Sequence, residues 1–90
     1  MEGFKMVPDK NAVLERLCRE IAMIARREPG EIQKEESLRN NGIDSMSFLE
    51  LLLFIKKEWN IDYLEIGLPP DAQGSISALA EHICNDQAGK

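Results

Sequence analysis

Apolar residues in the first third of the chain recur at Val13, Leu14, Leu17, Cys18, Ile21, Ile24 and Ala25, the spacing that lines one face of an α-helix. A first helix is therefore expected over residues 13–25. Asp9 is placed to cap its start after Pro8, Arg26 and Arg27 suit the negative end of its dipole, and Pro29-Gly30 is a stop. Residues 31–43 then lose all periodicity. Glu35-Glu36 and Asn40-Asn41-Gly42 are relieved only by the isolated apolar residues Ile32, Leu38 and Ile43, which predicts a long loop pinned to the core at those three points. A loop of that length in a small domain is uncommon and usually functional.

Periodicity returns at Ser45–Trp59, and here two apolar stripes share one helix. At about 100° per residue, Phe48, Leu51, Leu52, Ile55 and Trp59 cluster on one side and form the expected core face. Met46, Leu49 and Leu53 form a second stripe beside the direction in which Ser45 projects, bordered by Glu50 and Lys57. A small bundle has little room to bury both. Asp44 is a good N-cap, able to accept from the unpaired amides of the first turn. Beyond Asn60 the pattern is irregular, with room for one short helical turn before or after Pro69-Pro70. Gly74-Ser75 opens a last helix with Ile76, Leu79, Ala80 and Ile83 inward, fraying over 85–89. No segment alternates with period two. The pattern predicts an all-α fold: a small bundle of three main helices plus one short helix, with the long loop between the first and second.

Composition narrows the function. Ninety residues make one small domain, which buries only about 60–65% of its unfolded surface and can hardly enclose a deep substrate pocket as well. A net charge of −5 disfavours nucleic acid and points to a basic partner. That charge is not spread evenly: residues 1–43 hold eight acidic and eight basic side chains, whereas residues 44–86 hold eight acidic and only two basic. The longest apolar run, residues 51–55, is far short of the roughly 20 needed to span a bilayer, and residues 1–8 lack the apolar core of a signal peptide. A cytoplasmic monomer without membrane insertion is expected, its single domain at 9–86 flanked by flexible ends at 1–8 and 87–90. Cys18 and Cys84 have no metal-ligand spacing and are expected to stay thiols.

The chemistry concentrates where the loop meets the second helix. Leu38, Gly42, Asp44, Ser45 and Met46, read as L-x-x-x-G-x-D-S-M and followed by Leu49-Glu50-Leu51, resemble the attachment site of acyl carrier proteins. The resemblance runs from the first helix through the loop to the closing S-I-S-A-L-A-E-H-I segment. It implies an acyl-carrier-like bundle in which Ser45 is esterified by 4′-phosphopantetheine, donated from coenzyme A by a phosphopantetheinyl transferase, with acyl groups carried as thioesters on the terminal thiol. It also implies that Asp44 serves transferase recognition besides capping, that Met46, Leu49 and Leu53 meet partner enzymes, and that Glu50 faces a basic patch on them. Gly42 would let the chain turn before the site.

Two departures from the resembled family weigh against housekeeping fatty acid synthesis. Lys56-Lys57 stand where acidic residues are usual, and Asn41 where an apolar residue is common. The lysines are either part of the partner surface or a solvated face at a helix end that favours cations. The expected pathway is a specialised one (polyketide, nonribosomal peptide or modified lipid) or fatty acid synthesis, with loading, condensing or tailoring enzymes as partners. An aminoacyl or peptidyl carrier uses the same tether chemistry. A different class, a helical adaptor binding a partner helix through Met46, Leu49 and Leu53, also fits the stripe. No catalytic or metal centre is expected: His82 falls in the last helix with nothing in the sequence to bring it to Ser45 and Asp44, and EF-hand spacing is absent.

Overall fold

A computed structural model describes residues 9–88. The expected flexible ends lie outside them, apart from Gln87 and Ala88, which are helical. The fold is all-α: α1 (Lys10–Ala25), α2 (Ser45–Trp59), α3 (Tyr63–Ile66) and α4 (Ile76–Ala88), with no strand among the described residues. α1 packs against both α2 and α4, most extensively against α4, and α3 leans on α2.

The apolar periodicity explains this assembly. Leu17 and Ile21 of α1, Leu51 and Ile55 of α2, and Ile76, Leu79 and Ile83 of α4 are all at zero exposure and meet in one core. Each such side chain contributes about 1.5–3 kcal/mol by leaving water. Phe48 and Trp59, expected on the core face of α2, are half-buried and packed against its edge. Phe54 joins them there. Its ring meets Trp59 edge-on at 5.6 Å and lies 5.4 Å from the Arg16 guanidinium, which also forks onto Glu58 at 3.0 and 3.3 Å and so ties α1 to α2.

Helix ends differ from the sequence pattern in instructive ways. α1 begins three residues earlier than the apolar stripe, at Lys10, and Asp9 sits at the N-cap without a side-chain capping bond. Its backbone carbonyl accepts from Val13 instead, at 3.0 Å. The stop is Arg26, not Pro29-Gly30: Arg26 adopts the left-handed conformation (φ 59°), and Arg27 N–H donates back to the Ala22 carbonyl at 2.8 Å. Pro29–Glu31 instead forms a 3₁₀ turn. Helical turns flank Pro69-Pro70 on both sides where one was expected, α3 before and a 3₁₀ turn at Pro70–Gln73 after. α4 stays helical to Ala88, through the stretch expected to fray.

The long loop is pinned at the three expected points, since Ile32, Leu38 and Ile43 are all buried. It is also tied to α4 from outside. The Lys34 carbonyl accepts from Ser77 N–H at 3.0 Å, and the Ser77 hydroxyl donates to Glu35 at 2.8 Å. Among the described residues, no helix is long and apolar enough to cross a membrane.

Candidate functional site at the start of α2

Asp44 caps α2 as its residue type demands. Its backbone is extended, its carboxylate accepts the Ser47 N–H at 2.9 Å, and its carbonyl accepts the Phe48 N–H at 2.8 Å. The Ser47 backbone bond, reinforced by the Ser47 hydroxyl, holds the Asp44 carboxyl below the usual carboxylate range. Ser45 is then the first residue of the helix and is exposed. Its hydroxyl stands where helix N–H groups lack intrahelical partners and the dipole is positive, so an ester phosphate there gains about 0.3–1 kcal/mol.

The turn before it depends on Gly42 twice over. Its φ of +92° lies in the left-handed region, and a Cβ at this position would stand 3.2 Å from the Arg27 guanidinium and 3.3 Å from the Ala25 Cβ. The end of α1 therefore presses against the chain three residues ahead of Ser45.

Ser45 opens onto a shallow groove of about 470 Å³. Leu38, Ile43 and Phe48 give it an apolar side, while Ser37, Arg39 and Gln73 supply polar groups. A second groove of about 510 Å³, between α1 and the Pro29–Glu31 turn with Cys18 and Lys34 in its wall, shares no lining residue with the first. Burial raises the Cys18 thiol above its ordinary value.

The second stripe of α2 is open. Met46 is 77% exposed, Leu49 49% and Leu53 51%, whereas Leu51 and Ile55 on the opposite side are at zero. Leu64 and Ile66 of α3 add two further exposed apolar side chains that periodicity could not assign, because a four-residue helix is too short to show a period. Glu50 is exposed beside the stripe. Both lysines are exposed, and Lys56 also reaches Asp62 at 3.3 Å, the residue whose carboxylate caps α3 by accepting from Glu65 N–H at 3.2 Å. Lys56 thus braces α3 against the end of α2.

His82 is not brought to Ser45. Its Nε2 lies 3.6 Å from Asp86, and its ring stacks at a tilt on buried Tyr63, whose hydroxyl donates to the same Asp86 carboxylate. Burial, with that bond, pushes the Tyr63 phenol up. These three side chains fasten α3 to α4. Among the described residues no three His, Cys, Asp or Glu side chains gather as a metal site.

Sequence reasoning missed the burial of Asn41 and the placement of two arginines. Asn41 is fully buried, Arg27 is folded against Gly42, and Arg39 lines the groove that also holds Asp44 and Ser45. Compared with known proteins, the chain matches no family model and no curated sequence.

Proposed function

We propose that the protein is an acyl carrier, modified at Ser45 by 4′-phosphopantetheine and visited in turn by enzymes that load, extend or tailor its cargo. The observation that carries this reading is the exposed Ser45 hydroxyl on a capped helix start, beside an apolar stripe that the fold leaves uncovered. In the modification the Ser45 oxygen displaces the nucleotide half of coenzyme A at phosphorus, and the serine proton passes to a base on the transferase. Asp44 holds the helix start and presents a carboxylate to the transferase. The bound group supplies a long flexible arm ending in a thiol.

The carrier has no catalytic role of its own. It keeps a thioester at high effective concentration near each docked active site and leaves after each step through a weak interface. Partners present apolar or basic patches to Met46, Leu49, Leu53 and Glu50, in the cytoplasm, and the polar setting of Asn41 and the exposed Lys57 favour a specialised acyl pathway over housekeeping fatty acid synthesis. An aminoacyl cargo would use the same arm. The exposed stripe also supports a helical adaptor, and one experiment separates the two. Intact mass after incubation with coenzyme A and a broad-specificity transferase is expected to rise by one phosphopantetheine, and Ser45→Ala is expected to gain none. Absence of the adduct on the unaltered chain sinks the carrier reading and leaves the adaptor.

A further inference from the structure

Asn41 is the one buried amide side chain among the described residues, and none of their charged side chains is buried. Its amide closes a ring of backbone contacts: Oδ1 accepts from Gln33 N–H at 2.7 Å, and Nδ2 donates to the carbonyls of Gln33 and Ser37 at 2.9 Å each and of Glu36 at 3.4 Å. With two N–H hydrogens to give, the amide pairs fully with three backbone groups and shares a proton with the Glu36 carbonyl, in a segment with no ladder of its own. Its backbone is bound too, donating to the Ser37 and Leu38 carbonyls at 3.1 and 3.0 Å.

An apolar side chain could fill this space between buried Leu38 and Ile43, but it would leave the Gln33 N–H and the Gln33 and Ser37 carbonyls without their Asn41 partner, so the amide stabilises the loop. What the amide adds is a single geometry, because every one of its partners has a direction. That geometry reaches the site. Ser37, whose carbonyl Asn41 holds, and Arg39, two residues before it, form part of the groove at Ser45, and Asn41 leads directly through Gly42 and Ile43 to the Asp44 cap.

We propose that Asn41 is a positioning residue, which holds residues 33–41 as a preformed platform so that the transferase meets an ordered surface beside Ser45. This rests on the carrier reading. A disordered segment would have to be ordered at each encounter, and the cost would appear in binding rather than in the chemical step. The outside tie of Ser77 to Lys34 and Glu35 acts in the same sense with fewer bonds.

The test pairs backbone amide exchange with steady-state kinetics of the transferase reaction. In Asn41→Leu the Gln33 amide is expected to lose about a hundredfold of its protection while α2 and α4 amides keep theirs. The KM for the carrier is expected to rise about tenfold with kcat held within about twofold. Ser77→Ala, which leaves the core untouched, is expected to raise KM about threefold and covers the case in which Asn41→Leu does not fold. An unchanged KM in Ser77→Ala and in any Asn41→Leu that folds overturns the proposal, as does retained protection of Gln33 in Asn41→Leu. A fall in kcat at constant KM overturns it as well. Failure of the carrier reading is distinguishable, because the unaltered chain would then gain no adduct while the exchange measurement still reports on the loop.

Discussion

The two apolar faces of α2 are built from the same kinds of residue and have opposite fates. Leu51 and Ile55 are at zero exposure in the core, whereas Leu49 and Leu53, two positions away, stand half in water. Composition does not separate them; angle around the helix does. The lesson is that an apolar residue in a small bundle carries information only together with the face it occupies. A chain that keeps a second apolar face open forgoes the stabilisation that burying it would give. Among the described residues, the amphipathic helices α1 and α4 have no equivalent stripe, although Met23 near the end of α1 is exposed by itself.

The strongest way to break this comparison is to cut into the buried face. Leu51→Ala removes side-chain carbons from a fully packed position and is expected to destabilise the protein by about 2–5 kcal/mol, seen as a lowered midpoint in urea unfolding with unchanged slope. A loss below about 1 kcal/mol would mean that the two faces are not energetically distinct.

How legible this division is in the sequence depends on the kind of signal each part leaves. α1, α2 and α4 and their inward residues follow from periodicity, because burial repeats every turn and the pattern accumulates over many residues. The pins at Ile32, Leu38 and Ile43 are visible as lone apolar residues in a polar stretch. The Asp44 cap and the exposed serine after it are visible because capping depends on one residue type at one position. The burial of Asn41 leaves no such trace. A buried amide bonded to its own loop looks like any turn asparagine, and only closure of the segment around it removes it from water. The meeting of Arg27 with Gly42 is illegible for a related reason, since it joins residues that no local rule connects. The linear charge count misleads in the same way: acidic side chains dominate from Asp44 onward in sequence, but Arg39 shares the groove with Ser45 in space.

Acid sharpens the comparison at the end of α2 where both faces begin. The Asp44 carboxyl sits lower in the folded protein than in the unfolded chain because it accepts from Ser47. Its contribution is therefore complete above the unfolded value, about 3.9, and is lost as pH falls through the lower folded value. An asparagine in its place would keep an uncharged acceptor for the cap without titrating. Asp44→Asn is accordingly expected to flatten the acid limb of a thermal stability profile below about pH 4 while changing little near neutrality. An acid limb identical in the two proteins would show that the capping bond does not distinguish folded from unfolded chain.

The smallest expected effect on stability falls on the open face, and it is the one that tests what the face is for. Leu53 is already 51% exposed, so Leu53→Glu removes little buried area, and glutamate is nearly as good a helix former as leucine. The cost in unfolding free energy is expected to stay at or below about 1 kcal/mol. If partners dock here as proposed, docking is another matter, because the partner would have to desolvate a carboxylate in place of a methyl group. Turnover of the loaded carrier by a partner enzyme is therefore expected to fall at least tenfold, mostly through KM, since a desolvation cost above about 1.4 kcal/mol acts on the encounter and not on the chemistry. Measured side by side, a large loss of stability from Leu53→Glu would place this stripe in the core. Unaltered stability with unaltered turnover would leave the stripe exposed and move the docking surface elsewhere, with the exposed Leu64 and Ile66 of α3 the next apolar side chains to test.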